Sequence, residues 1–253
     1  MDLSLGITLA TMAAGTVLLA RILLVRQGVR FAALTFFLAQ HLIWGITLTL
    51  MPRTGPWYAL LYKVSNPVEW VAATWCVAHL LGKGFAGYPG IRSMSRWATW
   101  GASLIAVCIA LLLVSYFWQG NYRGRRTLLY LEVADRSVLL SLALVIILTV
   151  IFFYRYPFRL QSNTWASLIA FSAIVLSTAV ARLFDSLAPA MAVLPVDLAA
   201  LAFEAGCYLV WAANFRREEA QAPAHVIITY AGEHELLRQL HAMDGILHRV
   251  GRG

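Results

Sequence analysis

The stretch LEVADRSVLLSLALVIILTVIFFYR, residues 131–155, decides the fold. From Ser137 to Tyr154 it runs eighteen residues without a formal charge, long enough for a membrane-crossing helix. At its head stand Glu132, Asp135 and Arg136, a little over one turn after the basic cluster GRRT at 124–127. Ionisable side chains beside such a run need partners, water or the membrane surface, because burying them in hydrocarbon costs about 2.5–3.5 kcal/mol each.

The rest of the chain reads the same way. Of its 253 residues 60% are hydrophobic and 13% are charged, against roughly half and a quarter in a soluble domain. An apolar window of ~20 residues finds seven runs, near 3–25, 30–51, 57–81, 97–118, 128–154, 163–186 and 193–214. Loop chemistry separates them: MPRTGP at 51–56, GKGFAGYPGIRSMSR at 82–96, QGNYRGRR at 119–126 and SLAPA at 186–190. The expected fold is an all-α polytopic membrane protein, integral to a cellular membrane. It has a seven-helix transmembrane domain over 1–215 and a short tail over 216–253.

Basic residues set the expected orientation. One side receives Arg21, Arg26, Arg30, Lys83, Arg92, Arg96, Arg155, Arg159, Arg216 and Arg217. The other receives Arg53, Arg123, Arg125, Arg126 and Arg182. The larger set marks the cytoplasmic side, which places the N-terminus outside and the C-terminus inside. The N-terminal run lacks the basic region that precedes a cleaved signal, and its arginines follow the apolar stretch, as in an uncleaved first helix. The formal charge of +8 is spread between apolar runs rather than gathered on one face, which argues against nucleic acid as a partner. Cys76, Cys108 and Cys207 lie within apolar runs at unrelated spacings, which suits packing residues and no zinc motif.

By helix count and topology the pattern resembles G-protein-coupled receptors and microbial rhodopsins. The motifs of neither follow. Retinal needs a Schiff-base lysine in the seventh span, and the only lysines are Lys63 and Lys83. Asp135-Arg136-Ser137 looks like a receptor's ionic-lock tripeptide but sits at the outer end of helix five, and GCYLVWAANF in helix seven lacks NPxxY. A bis-histidine haem needs two imidazoles at one depth, whereas His79 lies near the inner end of helix three and His41 near the midplane. No GxSxG elbow appears, so a serine hydrolase is excluded as well. No cofactor is expected.

Depth sorts the polar residues into two layers. Glu132, Asp135 and Arg136 begin helix five, Arg182 and Asp185 end helix six, and Asp197 begins helix seven. All six fall in the outer third, as a self-satisfied salt-bridge clasp, as the lining of an outward vestibule in which Arg136 and Arg182 hold an anionic or polar ligand, or as side chains snorkelling to the headgroups. Deeper lie His41, Glu69 and Glu204, each ~16–18 Å from its span's start at 1.5 Å per residue. They form a buried polar core that suits proton carriage or hydrogen bonding better than a metal, since no ExxH pair is present. Pro67, two residues before Glu69, predicts a kink. Asp197, Glu204, Tyr208 and Trp211 share one face of helix seven, pointing into the bundle.

In the tail, Leu236, Leu240, Met243, Leu247 and Val250 form a 4-3-4-3 ladder within a helix expected over about 233–250. Two readings stand: an amphipathic helix lying along the bundle or inner leaflet, and a self-association helix that makes a homo-oligomer. The ladder's regularity favours the second. The 38 residues of the tail are too few for a kinase or cyclase domain, so any output passes through oligomerisation or a separate cytoplasmic partner. The expected function is a non-catalytic receptor- or sensor-like membrane protein with a polar outward cavity. The alternatives are a proton-coupled small-molecule transporter and a structural subunit of a larger membrane assembly.

Overall fold

The computed structural model describes residues 3–51, 56–117, 126–155, 162–187, 190–215 and 233–250. Every described element is helical: α1 (Leu3–Leu24), α2 (Ala32–Leu50), α3 (Pro56–Gly84), α4 (Pro89–Phe117), α5 (Arg126–Arg155), α6 (Ser162–Leu187), α7 (Ala190–Asn214) and α8 (Glu233–Val250). Five of these helices hold segments long and apolar enough to cross a membrane: Ser4–Leu24, Ala32–Leu50, Val133–Phe153, Ser162–Phe184 and Pro195–Asn214. The other two long helices are more polar: α3 carries Lys63, Asn66, Glu69 and His79, and α4 opens with Arg92 and Arg96.

Between their ends helices satisfy their backbone groups internally, which an apolar surrounding demands. Hydroxyl side chains obey the same constraint. Thr16, Thr47, Thr49, Thr149 and Thr178 each donate to the carbonyl four residues back on their own helix, at 2.6–2.9 Å. Pro67 does not interrupt α3, which continues on both sides of it.

The short VRQGVR connection makes α1 and α2 neighbours. It closes α1 with a Schellman pair: Gln27 N–H donates to Ile22 O at 3.1 Å and Arg26 N–H to Leu23 O at 3.0 Å. Arg26 occupies the left-handed position at φ 57°, where glycine is the usual residue.

Successive helices pack beside one another, and α7 returns to α1, closing the ring. Helix α3 runs inside it, touching α2, α4, α5 and α6. The apolar core fills one end of this ring. Phe31, Leu34 and Leu38 from α2 and its entry meet Leu80, Leu81 and Phe85 from α3, Phe153 from α5, Phe171 from α6, and Trp211 and Phe215 from α7. Buried hydroxyls tie the helices there: Trp211 Nε1 donates to Ser167 Oγ (3.1 Å) and Thr74 Oγ1 to Ser103 Oγ (3.1 Å). At this same end Arg21 Nε donates to Phe215 O (3.3 Å), His79 Nε2 to Arg30 O (3.1 Å), and Lys83 Nζ lies 3.7 Å from the Phe31 ring centre.

Helix α8 packs against α4. Leu240 is fully buried, and Met243 and Leu247 lean on the same core. Three rungs of the tail ladder are therefore engaged within their own chain; the side chains of Leu236 and Val250 lie outside the described residues. The contact also completes α4. Proline at its first position needs no hydrogen bond, but Tyr88 before it has no side-chain acceptor suited to cap the next two amides. Asp244 Oδ1 reaches across from α8 and accepts from Gly90 N–H (2.7 Å) and Ile91 N–H (3.1 Å). Tyr88 meets His241 beside this cap, ring centres 5.5 Å apart.

Candidate functional site

The half of the ring opposite α8 is hollow. A cavity of about 410 Å³ lies between α2, α3, α5, α6 and α7. Its deep end is polar because three residues separated widely in sequence meet near the middle of their helices. His41 Nδ1 is 3.0 Å from Glu69 Oε1 and His41 Nε2 is 3.7 Å from Glu204 Oε1. The imidazole thus stands between two carboxylates, one from α3 and one from α7. Phe37, one turn earlier on α2, stacks against the imidazole at 5.9 Å and fixes its plane. Tyr208, one turn along α7, donates its hydroxyl to Glu204 Oε1 at 2.6 Å. The chain of contacts is continuous from Glu69 through His41 and Glu204 to Tyr208, which is buried against the packed half.

A second cluster lines the same cavity nearer its other end. Arg182 Nε on α6 is 3.7 Å from Asp135 Oδ2 on α5. The other oxygen of Asp135 accepts from Trp70 Nε1 of α3 at 2.8 Å. Asp135 therefore links three helices, with Trp70 adjacent in sequence to Glu69 of the deep triad. Asp197 of α7 also lines the cavity. Glu69 and His41 keep 38% and 32% of their side-chain surface accessible, and Arg182 keeps 45%. Asp135 and Arg182 are paired with each other, and both line the cavity.

Not every residue singled out from sequence belongs to this site. Arg136, placed beside Arg182 as a ligand-holding group, does not line the cavity. The side chains of Glu132 and Asp185 lie outside the described residues, as does the arginine-rich segment 119–125. Pro67 directly follows Ser65 and Asn66, which line the cavity wall on α3. Among the described residues no group of His, Cys, Asp and Glu is arranged to hold a metal ion.

Sequence reasoning missed the aromatic wall. Trp44, Tyr62 and Trp70 all face the cavity together with Phe37 and Phe171. Trp44 stands one turn beyond His41 on α2, so an i,i+3 reading from the histidine would have found it. Trp70 carried the same kind of signal, since it lies four residues beyond Asn66 on α3.

No family model, curated protein or solved structure matches the chain. Fold and site define a class only: an all-helical protein with membrane-like character and an internal polar cavity. Several of its helices are long and apolar enough to cross a bilayer, in keeping with a multi-pass membrane protein.

Proposed function

We propose that the chain crosses the membrane seven times, N-terminus outside, and acts as a non-catalytic receptor- or sensor-like protein whose cavity admits a small polar ligand from the outer side. One observation carries this reading: the cavity occupies one half of the ring, while the half next to α8 is filled by side chains such as Phe31, Leu34, Leu38 and Trp211. A hollow outer half above a packed inner half suits ligand capture on one side. A carrier needs a second opening, and the buried aromatic layer stands where that opening would lie. Seven crossings are supported by α3 and α4, which are long enough to span a bilayer and are packed among the other helices of the ring.

The test is access. In a background with Cys76, Cys108 and Cys207 replaced by alanine, Leu48→Cys reports on the cavity and Leu38→Cys on the packed half. A membrane-impermeant maleimide added to sealed, right-side-out vesicles is expected to label Leu48→Cys and spare Leu38→Cys. Labelling of Leu48→Cys only in inverted vesicles, or in neither, overturns the outward cavity.

The second reading is a proton-coupled carrier, favoured by the imidazole between Glu69 and Glu204. A ring with a carboxylate at each nitrogen can take a proton from one side and pass it to the other. Under that reading Leu48→Cys is labelled from both sides and Glu204→Gln abolishes proton uptake by proteoliposomes. Self-association of the tail is a separate proposal. With Leu240 occupied by α4, copies of α8 would meet through the face left open, where Ile246 is exposed. Equal detergent-corrected masses for the parent chain and Ile246→Asp would remove it, and a separate cytoplasmic partner would then be the remaining route for output.

A further inference from the structure

The two polar clusters and the aromatic wall belong to one cavity, and together they specify the charge of its occupant. Four carboxylates line it, from Glu69, Asp135, Asp197 and Glu204, against the guanidinium of Arg182 and the imidazole of His41. With every group ionised the lining is negative by two charges, and with a neutral imidazole by three. Arg136 lies outside the lining, and its single charge beside Asp135 would still leave the sum negative. An anion entering this space meets a like-charged wall at short range, where repulsion persists even with water present. A cation is attracted for the same reason.

The apolar part of the lining points the same way. Trp44, Tyr62 and Trp70 bring aromatic surface to a space that also holds carboxylates, the combination that retains alkylammonium groups through cation–π contact. Trp70 contributes twice, since its indole N–H holds Asp135 in place while its ring borders the cavity. A volume of about 410 Å³ falls within the usual range for small-molecule sites, roughly 300–1,000 Å³. We infer that the cavity takes a small organic cation, its ammonium among Glu69, Asp135 and Asp197 and against the ring faces of Trp44 and Trp70.

This inference rests on the cavity being a ligand site open from outside, and the experiment separates the two. The full chain in detergent is titrated with benzyltrimethylammonium and, in parallel, with benzenesulfonate, an anion of similar size. Thermal stability and intrinsic tryptophan fluorescence are recorded. The expected result is a saturable rise in Tm and a fluorescence change with the cation, and neither with the sulfonate. Trp44→Ala is expected to weaken the apparent affinity about tenfold, within the range of a desolvated cation–π contact. Glu69→Gln keeps the shape and the His41 contact while removing charge, and is expected to weaken it similarly. A saturable response to benzenesulfonate alone overturns the cation class and leaves the cavity reading intact. A cation response unchanged in both variants places binding elsewhere and overturns the inference. No response to either probe, with Leu48→Cys still labelled from outside, also overturns it. If Leu48→Cys is unlabelled as well, the outward cavity falls with it.

Discussion

Replacing Asp244 by alanine should loosen the tail without unfolding the bundle, and the size of the effect follows from the two bonds it makes. A side-chain cap contributes about 1 kcal/mol to a helix start, up to about 2 in favourable sites. Asp244 caps two amides of α4 with one charged oxygen, at 2.7 and 3.1 Å, and stands at the positive end of the helix dipole. A loss of about 1–2 kcal/mol is therefore expected, a factor of roughly 5–30 in the opening equilibrium of α8 from α4. Hydrogen–deuterium exchange followed by mass spectrometry in detergent reads that factor directly. Amides of residues 238–247 and of Gly90 and Ile91 should exchange faster by that amount, while those of 168–179 in α6 stay unchanged. Asp244→Asn, which keeps an acceptor but loses the charge, should fall between. Exchange of α8 and of the first turn of α4 within twofold of the parent protein would refute the account, because the cap would then contribute nothing.

Further outcomes follow from other contacts. Arg26→Gly removes a side chain from a left-handed position at φ 57° and should raise stability by about 1 kcal/mol, seen as a higher Tm. Ser167→Ala leaves the buried Trp211 Nε1 without its acceptor and should cost about 1 kcal/mol, measured by reversible unfolding in mixed detergent. Asp135→Asn and Arg182→Ala should be non-additive. Their coupling should be small, about 0.5 kcal/mol, because the arginine is nearly half exposed and solvent screens the pair.

Much of this architecture was legible before any coordinates. Each helix from α1 to α7 falls close to an apolar run, because lipid-like surroundings leave little choice but helix for such a run. Counting along those runs put His41, Glu69 and Glu204 at one depth, and the structure joins them through the imidazole. Counting gives depth but not azimuth, so Arg136 and Arg182 read as equals although only Arg182 turns toward the cavity. The tail ladder showed which face of α8 is apolar. It held no information on what covers that face, which proved to be α4. Asp244 was invisible for a related reason: a cap supplied from 154 residues away leaves no local pattern at the helix it completes.

The hollow half of the ring has a consequence for how any occupant binds. A space of about 410 Å³ lined by carboxylates, an arginine and an imidazole is polar enough to be wet, and at ~30 Å³ per molecule it holds about a dozen waters. An occupant must displace most of them. Its affinity will then depend on water activity as well as on charge. Osmolytes too large to enter the cavity should strengthen binding, and dilution of the surrounding medium should weaken it.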